Sequence, residues 1–415
     1  MDLKFIRENP DELRKLLTLR RVEFDLDRLL GLDAKRRSIA QERDKARHEQ
    51  RKISERVSSA KREGKNCAEI VVQARGLSDR VKEFETELAR IERELTQLIK
   101  TLPNSVHSSV TAKEELISEW GEPPKFSFEP LAHWDLGEAL DILDFKAAAR
   151  LSGSRFVVFK DAGALLERAL ISYFLDTHTR NGYVEIYPPV LANPACLEGG
   201  GQLPHLETDM YAMRDDPFYL IPTAETALIN IHRGQVLDSS RFPLKYVAYT
   251  PCFRREAGSY GKDVRGMIRI HQFDKVELVR FTRPEDSYEA LEEMRVEVEG
   301  LMQALGIPYR VKRLAAWDVA YQSAKTYDID AWAAGVKRWL EVSSISNCED
   351  YQTRRTNTRF RNAQSKLVFP HTLNGSGLAL PRTFIAIIEN NQQPDGSVVI
   401  PEVLRPYMAG LERIS

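Results

Sequence analysis

Apolar residues in the first hundred positions follow two rhythms. Ile70, Ala74, Leu77, Val81, Phe84, Leu88, Ile91, Leu95, Leu98 and Leu102 recur at alternating spacings of four and three. A period of 3.5 keeps one apolar stripe turned toward a partner helix, so this spacing predicts a coiled-coil seam. A thinner stripe in a single register, Leu32, Ile39, Ala46, Ile53 and Ala60, precedes it. The polar, glycine-bearing break Glu63-Gly64-Lys65-Asn66 separates the two, and Pro103 stops the second. The pattern therefore predicts two helices folded back on each other over about residues 27–102, each roughly 50 Å long at about 1.5 Å per residue. Residues 1–22 read as a short amphipathic helix carrying Leu3, Ile6, Leu13, Leu16 and Leu17.

Pro103, Gly121, Pro123, Pro124 and Pro130 then punctuate a predicted linker over 103–130. From 131 to 415 the pattern is mixed. Helical stretches near 135–150 and 161–181 alternate with strand-like runs at Tyr183–Tyr187, Phe218–Ile221, Tyr246–Tyr249, Met267–Gln272, Val276–Phe281 and Leu340–Ser343. Several runs flank turns with no helix between them, which predicts an antiparallel sheet with helices packed on it. The expected fold class is thus α+β: an N-terminal unit, 1–102, with a helical arm, then a linker, then a sheet-and-helix domain.

At 415 residues the chain exceeds one ordinary core. With 42% hydrophobic and 29% charged residues it has globular composition, which excludes wholesale disorder. No apolar run approaches the roughly 18 residues of a membrane span. The start mixes acids with bases and has no apolar stretch, so neither a signal peptide nor a transit peptide is expected. Cys67, Cys196, Cys252 and Cys348 are scattered without a CxxC pair, which argues against a disulfide framework or cysteine zinc site and fits the cytoplasm. The net charge of -1 is uninformative, but its distribution is not. Residues 33–65 hold 12 Lys/Arg against 6 acids. On a rod too thin to enclose a catalytic core, that excess suits a phosphate backbone, with Arg36, Arg43, Arg47 and Arg51 as candidate contacts.

Four clusters carry candidate chemistry. Between Phe253 and Leu278, Arg254, Arg269 and Lys275 supply cations, Glu256 and Glu277 supply acceptors, and Phe273 offers a flat face. Arginine forks match phosphate oxygens, so the set suits an anionic nucleotide. Glu341-Val342-Ser343-Ser344 offers hard oxygen ligands of the kind Mg²⁺ accepts beside waters and phosphates. Asn374-Gly375-Ser376-Gly377, leading to Arg382 and an apolar helix, reads as a glycine-bearing phosphate contact at a helix start. Thr223-Ala224-Glu225 is a short polar stretch after a strand. The eight histidines show no HExxH or triad spacing, so His271 reads as a satisfied strand histidine. Gly199-Gly200-Gly201 lacks the lysine and serine of a P-loop and reads as a lid or turn.

The ordered set TAE, FRREAG, RIHQFDKVE, EVSS and NGSG, with an arginine before a helix, resembles the bacterial-type seryl-tRNA synthetases over almost the whole chain. The resemblance implies the class II catalytic fold, with motif 1 around Pro188 at a homodimer interface, motif 2 from Phe253 to Glu277, and motif 3 from Gly375 to Arg382. It implies an ATP site at Arg254, Arg255, Glu256, Arg269, Ile270, Phe273, Lys275, Glu341, Val342, Ser343, Ser344 and Arg382, with Arg254 and Arg382 catalytic. It implies a serine pocket at Thr223, Ala224, Glu225, Arg254, Glu277, Asn374 and Ser376, and Mg²⁺ at Glu341 and Ser344. The implied reaction joins L-serine to ATP as seryl-adenylate, releases pyrophosphate, and passes serine to tRNA(Ser), with tRNA(Sec) a second acceptor. Five positions depart from the family pattern: Val264, Trp317, Ile345, Cys348 and Pro381. Trp317 is bulky where the family is small, so altered packing behind the pocket is expected. Three other readings stay open: a paralogue feeding seryl-tRNA to a biosynthetic pathway, a non-catalytic RNA-binding dimer, and an amino acid:carrier-protein ligase. The last would lack the arm and use a zinc-binding cysteine.

Overall fold

A computed structural model describes residues 3–257 and 265–415, and the departure at Val264 lies outside the described residues. The chain divides into two compact units, Met1–Pro103 and Asn104–Ser415.

In the first unit two long antiparallel helices, α1 (Leu26–Arg62) and α2 (Ala68–Lys100), pair along their lengths. Asp25 caps α1 by accepting from the Arg28 amide at 2.9 Å. Gly64 takes the left-handed conformation, φ +66°, in the turn that reverses the chain. The seam is buried at Ala46, Val81, Leu88, Ile91 and Leu95. Toward the turn, Ile53, Ile70, Ala74 and Leu77 are only half covered, as expected where two helices have no third layer. The expected helix over 1–22 is two helices, Leu3–Glu8 and Pro10–Arg20, because the proline stops the first and starts the second. Their Ile6, Leu13 and Leu17 join Leu29, Ile91 and Leu95 in a small core at the base of the arm.

The second unit is built on an eight-stranded sheet. Its strands are β1 (Glu115–Trp120), β2 (Val184–Glu185), β3 (Leu244–Phe253), β4 (Gln272–Thr282), β5 (Tyr309–Arg313), β6 (Lys325–Ala333), β7 (Arg338–Glu349) and β8 (His371–Ala379). They lie in the order β1-β5-β6-β7-β8-β4-β3-β2, all neighbours antiparallel except β2 and β3. Helices α3 (Asp161–Arg180), α4 (Ser287–Ala304) and α5 (Leu380–Asn390) pack on it, burying Phe174, Leu291, Met294, Val298, Phe384 and Ile388 in the main core.

Three expectations need correction. The stretch 103–130 is no free linker: the Asn104 amide donates to Tyr321 O at 2.7 Å, its side chain donates to Cys348 O at 2.9 Å, and β1 forms the sheet edge on β5. An edge strand with neither face buried leaves no alternating signature to read. The helix expected near 135–150 is two, His133–Ala139 and Phe145–Ser152. The strand expected at Met267–Gln272 is a run of turns, with only Gln272 inside β4. Its amides are spent elsewhere, Met267 N on His133 Nε2 at 3.0 Å and His271 N on Arg155 O at 3.0 Å, so no ladder is available to them.

Candidate active site

One face of the central strands lines a cavity of about 460 Å³, enough for a nucleotide with a small co-substrate. On β4 the two-residue period turns Phe273, Lys275 and Glu277 to it together. Lys275 and Glu277 form an ion pair there. On β8 the same period sends Asn374 and Ser376 into the cavity. The intervening glycines face the helices instead. A Cβ on Gly377 would come within 2.5 Å of His178 on α3, and one on Gly375 within 3.1 Å of Met294 on α4. These glycines allow the sheet to approach its helices, while Arg382 at the start of α5 lies on the cavity.

Glu341 and Ser344 are three apart, so a regular strand would point them to opposite faces. Between β6 and β7 the pairing passes from Ile329↔Ser343 to Asp330↔Glu341, leaving Val342 as an extra residue. That bulge reverses the side-chain parity, and both Glu341 and Ser344 line the cavity. Asp328, buried on β6 beside them, accepts a hydrogen bond from Ser344. Burial, then the nearby Glu341 charge, push the Asp328 carboxyl well above its ordinary range.

The arginines frame the cavity. The Arg254 guanidinium lies 5.2 Å from the Phe273 ring centroid, and its Nε donates to Pro222 O at 3.4 Å. Arg382, in the first turn of α5, donates to Glu341 O at 2.7 Å and Ile268 O at 3.3 Å. Arg269 reaches Glu256 at 3.1 Å, and Glu256 is held at φ +52°. Ile270, Val342 and Thr223 also lie on the cavity wall. Three expected residues do not line it. Ala224 is buried behind it, Arg255 is exposed, and the Ser343 hydroxyl donates to Ser376 O at 2.6 Å on the far side of the bulge.

Glu225 is the most perturbed acid on the wall. It begins the short helix Glu225–Asn230 and is buried, accepting from Gln352 Nε2 at 2.6 Å and Asn374 Nδ2 at 3.2 Å. Desolvation first, then the Glu277 charge, raise its pKa to about 7, against the pull of Lys275, Gln352 and Gln322. Sequence reading missed Gln322 and Gln352, which are isolated polar residues far from any cluster, and Asp209, whose carboxylate accepts from the Ala257 amide at 3.0 Å. Only the fold brings them near. The Trp317 departure resolves simply: the indole is 42% exposed and donates to Ala112 O at 3.0 Å, so its bulk lies outside the cavity. Pro381 occupies the first turn of α5, where a proline fits. Pro188 is buried within the single chain, whereas its neighbours Val184 and Tyr187 are 57% and 87% exposed.

The basic arm is partly self-neutralised. Asp33 pairs with Arg36 and Arg37, Arg43 with Asp44, and Arg47 with Glu85. Arg51, Lys52, Arg56, Lys61 and Arg62, on the half of α1 nearest the turn, make no ion pair among the described residues.

Comparison with known proteins places this geometry. A family model for the seryl-tRNA synthetase N-terminal domain matches residues 1–106, and one for the class II tRNA synthetase core domain (G, H, P, S and T) matches 209–391. A serine–tRNA ligase from Thermodesulfovibrio yellowstonii is 47% identical over 98% of each chain. The chain belongs to the serine–tRNA ligases. A serine–tRNA ligase from Caldanaerobacter subterraneus is 49% identical, again over 98% of each chain. The crystal structure of seryl-tRNA synthetase from Pyrococcus horikoshii complexed with ATP superposes with a TM-score of 0.95 at 36% identity, covering 100% of this chain and 99% of that one. The cytoplasmic serine–tRNA ligase from Naegleria fowleri in complex with AMP gives 0.90 at 27% identity over 100% and 98%. This serine–tRNA ligase is therefore an ATP-dependent class II aminoacyl-tRNA synthetase. Among its described residues no helix is long and apolar enough to cross a membrane.

Proposed function

We propose that the cavity binds ATP and L-serine side by side and that its residues act by orientation and charge. One observation carries this reading: Arg254, Arg382, the Glu341–Ser344 pair and the Glu225–Asn374–Ser376 corner share one cavity wall. Phe273 would stack on the adenine, with Glu256 and the Ile270 backbone at its edge. Arg254 would hold the α-phosphate and Arg382 the far phosphates. Glu225 and Glu277 would take the serine ammonium, while Thr223, Asn374 and Ser376 meet its polar atoms. One oxygen of the serine carboxylate then attacks the α-phosphorus, the bond to the bridging oxygen breaks, and pyrophosphate leaves. In the second step the terminal ribose hydroxyl of the tRNA attacks the activated carbonyl, and AMP departs with the bonding electrons. Neither step needs a protein nucleophile, so the rate gain comes from alignment and from fixed cations beside the developing charge.

The donor set suits Mg²⁺: a carboxylate and a hydroxyl brought to one face by the bulge, with the buried Asp328 carboxyl behind them. Bound at Glu341 and Ser344, the ion would neutralise charge on the phosphates. For the RNA substrate, tRNA(Ser) and in the same manner tRNA(Sec), the unpaired cations of α1 would meet backbone phosphates. Exposed ion pairs such as Arg47–Glu85 are weak enough to be exchanged for them. The exposed Val184 and Tyr187 beside Pro188 would be covered in a homodimer. Four free thiols fit the cytoplasm.

The test is amino acid-dependent ATP–pyrophosphate exchange with serine, threonine, alanine and glycine. Exchange with serine alone is the expected result. Alanine working as well as serine would refute a pocket that reads the hydroxyl, since a polar site left unpaired rejects its deoxy analogue by about 10⁴-fold.

A further inference from the structure

We propose that Gln352 is the positioning residue that aims Glu225 at the amino-acid substrate. Gln352 lies in the short helix Tyr351–Thr356 and is fully buried. It is outside every cluster that the sequence singles out. Its amide makes three bonds to three separate elements. Nε2 donates to Glu225 Oε1 at 2.6 Å and to Gly200 O at 2.9 Å, and Oε1 accepts from Thr372 Oγ1 at 2.6 Å. Each partner dictates the amide's orientation. A carboxylate and a carbonyl can only accept, so the NH₂ must face them, and the Thr372 hydroxyl then donates to the oxygen. The side chain has one arrangement available.

The same contacts fix Glu225. A carboxylate at the edge of a cavity has rotamer freedom unless its oxygens are held, and here Oε1 is shared between Gln352 and Asn374. Gly200 ends the helix Pro194–Gly200, and Gly201 caps it at φ +92°. The triple glycine thus forms the last two residues of this helix and the turn that caps it. It presents a carbonyl that anchors the amide from behind. Thr372 lies on β8 two residues before Asn374, on the same side of the strand. Strand, helix end and carboxylate therefore meet at one amide, and Gln352 itself does not line the cavity. The charges facing Glu225 come from β4, as Glu277 and Lys275, and the thiol of Cys348 faces it from β7. Glu277 is a like charge that disfavours ionisation of Glu225, and a donor held against the carboxylate opposes that effect.

The inference rests on Glu225 as the serine-ammonium partner, and the experiment separates the two ideas. Steady-state exchange is measured for wild type, Glu225→Gln, Gln352→Met and Thr372→Val, with KM for serine and for ATP taken independently and pH varied from 6 to 9. Gln352→Met keeps shape and removes the amide. The expected result is a serine KM raised about 10- to 100-fold, the range of a hydrogen bond to a charged group, with the ATP KM within about twofold. The pH at which serine binding weakens should also move upward, because the carboxylate has lost a donor. Thr372→Val should show the same pattern more weakly, and it keeps the test alive if Gln352→Met fails to fold. Equal losses in the serine and ATP KM, or a fall in kcat alone, would overturn the positioning role. If Glu225→Gln leaves serine KM unchanged, the pocket reading fails. If Glu225→Gln raises serine KM and neither Gln352→Met nor Thr372→Val does, only the present inference fails.

Discussion

Serine binding should depend on pH through Glu225. The carboxyl is buried, faces Glu277, and titrates near pH 7 where an exposed glutamate would titrate near 4.5. Only the ionised form attracts the substrate ammonium, which stays charged throughout this range. At pH 6 about one-tenth of Glu225 is then ionised, so serine KM should stand about tenfold above its pH 8 plateau, and about a hundredfold above it at pH 5. The ATP KM carries only the titration of its own terminal phosphate, whose second pKa is about 6, and that contribution is the same in Glu225→Gln. Exchange assays at fixed ionic strength from pH 5 to 8.5 read both values. A serine KM that is flat between pH 6 and 8, or that bends identically in Glu225→Gln, would refute the reasoning. Stability follows with a defined sign. The native pKa is raised, so the folded state binds more protons than the unfolded one between about pH 4.5 and 7, and stability falls as pH rises through that window. The full loss is about 3 kcal/mol above pH 7, and Glu225→Gln should recover part of it at pH 8 and little at pH 5.

Three further outcomes are expected. Glu167 on α3 is buried with neither carboxylate oxygen bonded, and burial followed by the Asp274 charge raises its pKa well above the usual range. Glu167→Gln should therefore raise Tm by about 2–4 °C at pH 8 and by less at pH 5, read by calorimetry. Gly377→Ala must displace His178, whose ring lies 2.5 Å from the new methyl position, so urea unfolding should show a loss of about 1–3 kcal/mol. Lys52→Glu with Arg56→Glu should raise tRNA KM in the charging assay and reduce the slope of log affinity against log salt by about 2, with serine-dependent exchange as the control for folding.

The chain's own periodicities were enough for the arm and the antiparallel sheet, whereas the cavity-lining side chains were singled out by short motifs and the family resemblance those motifs carry. The 3.5-residue repeat appears as the α1–α2 pair because that period keeps the apolar stripe facing a second helix alongside. The alternation in Phe273, Lys275 and Glu277 is local geometry, and pleating alone puts the three together. Other features depended on contacts between residues far apart in sequence. Glu341 and Ser344 reach the same face only through a bulge that a register shift with β6 creates, and nothing in the letters EVSS marks it. The close approach of α3 and α4 behind the glycines of NGSG is likewise set by the packed chain. Arg36, Arg43 and Arg47 read as free cations until their acidic partners come within reach across or along the arm. Gln352 carries no local signal at all. Its three hydrogen bonds span 152, 127 and 20 residues, and such pairing is a property of the packed chain. Short-range order follows from backbone geometry and the need to bury apolar surface, both written residue by residue. The pairing of buried polar groups is set by which elements the fold makes neighbours, and only the tertiary structure decides that.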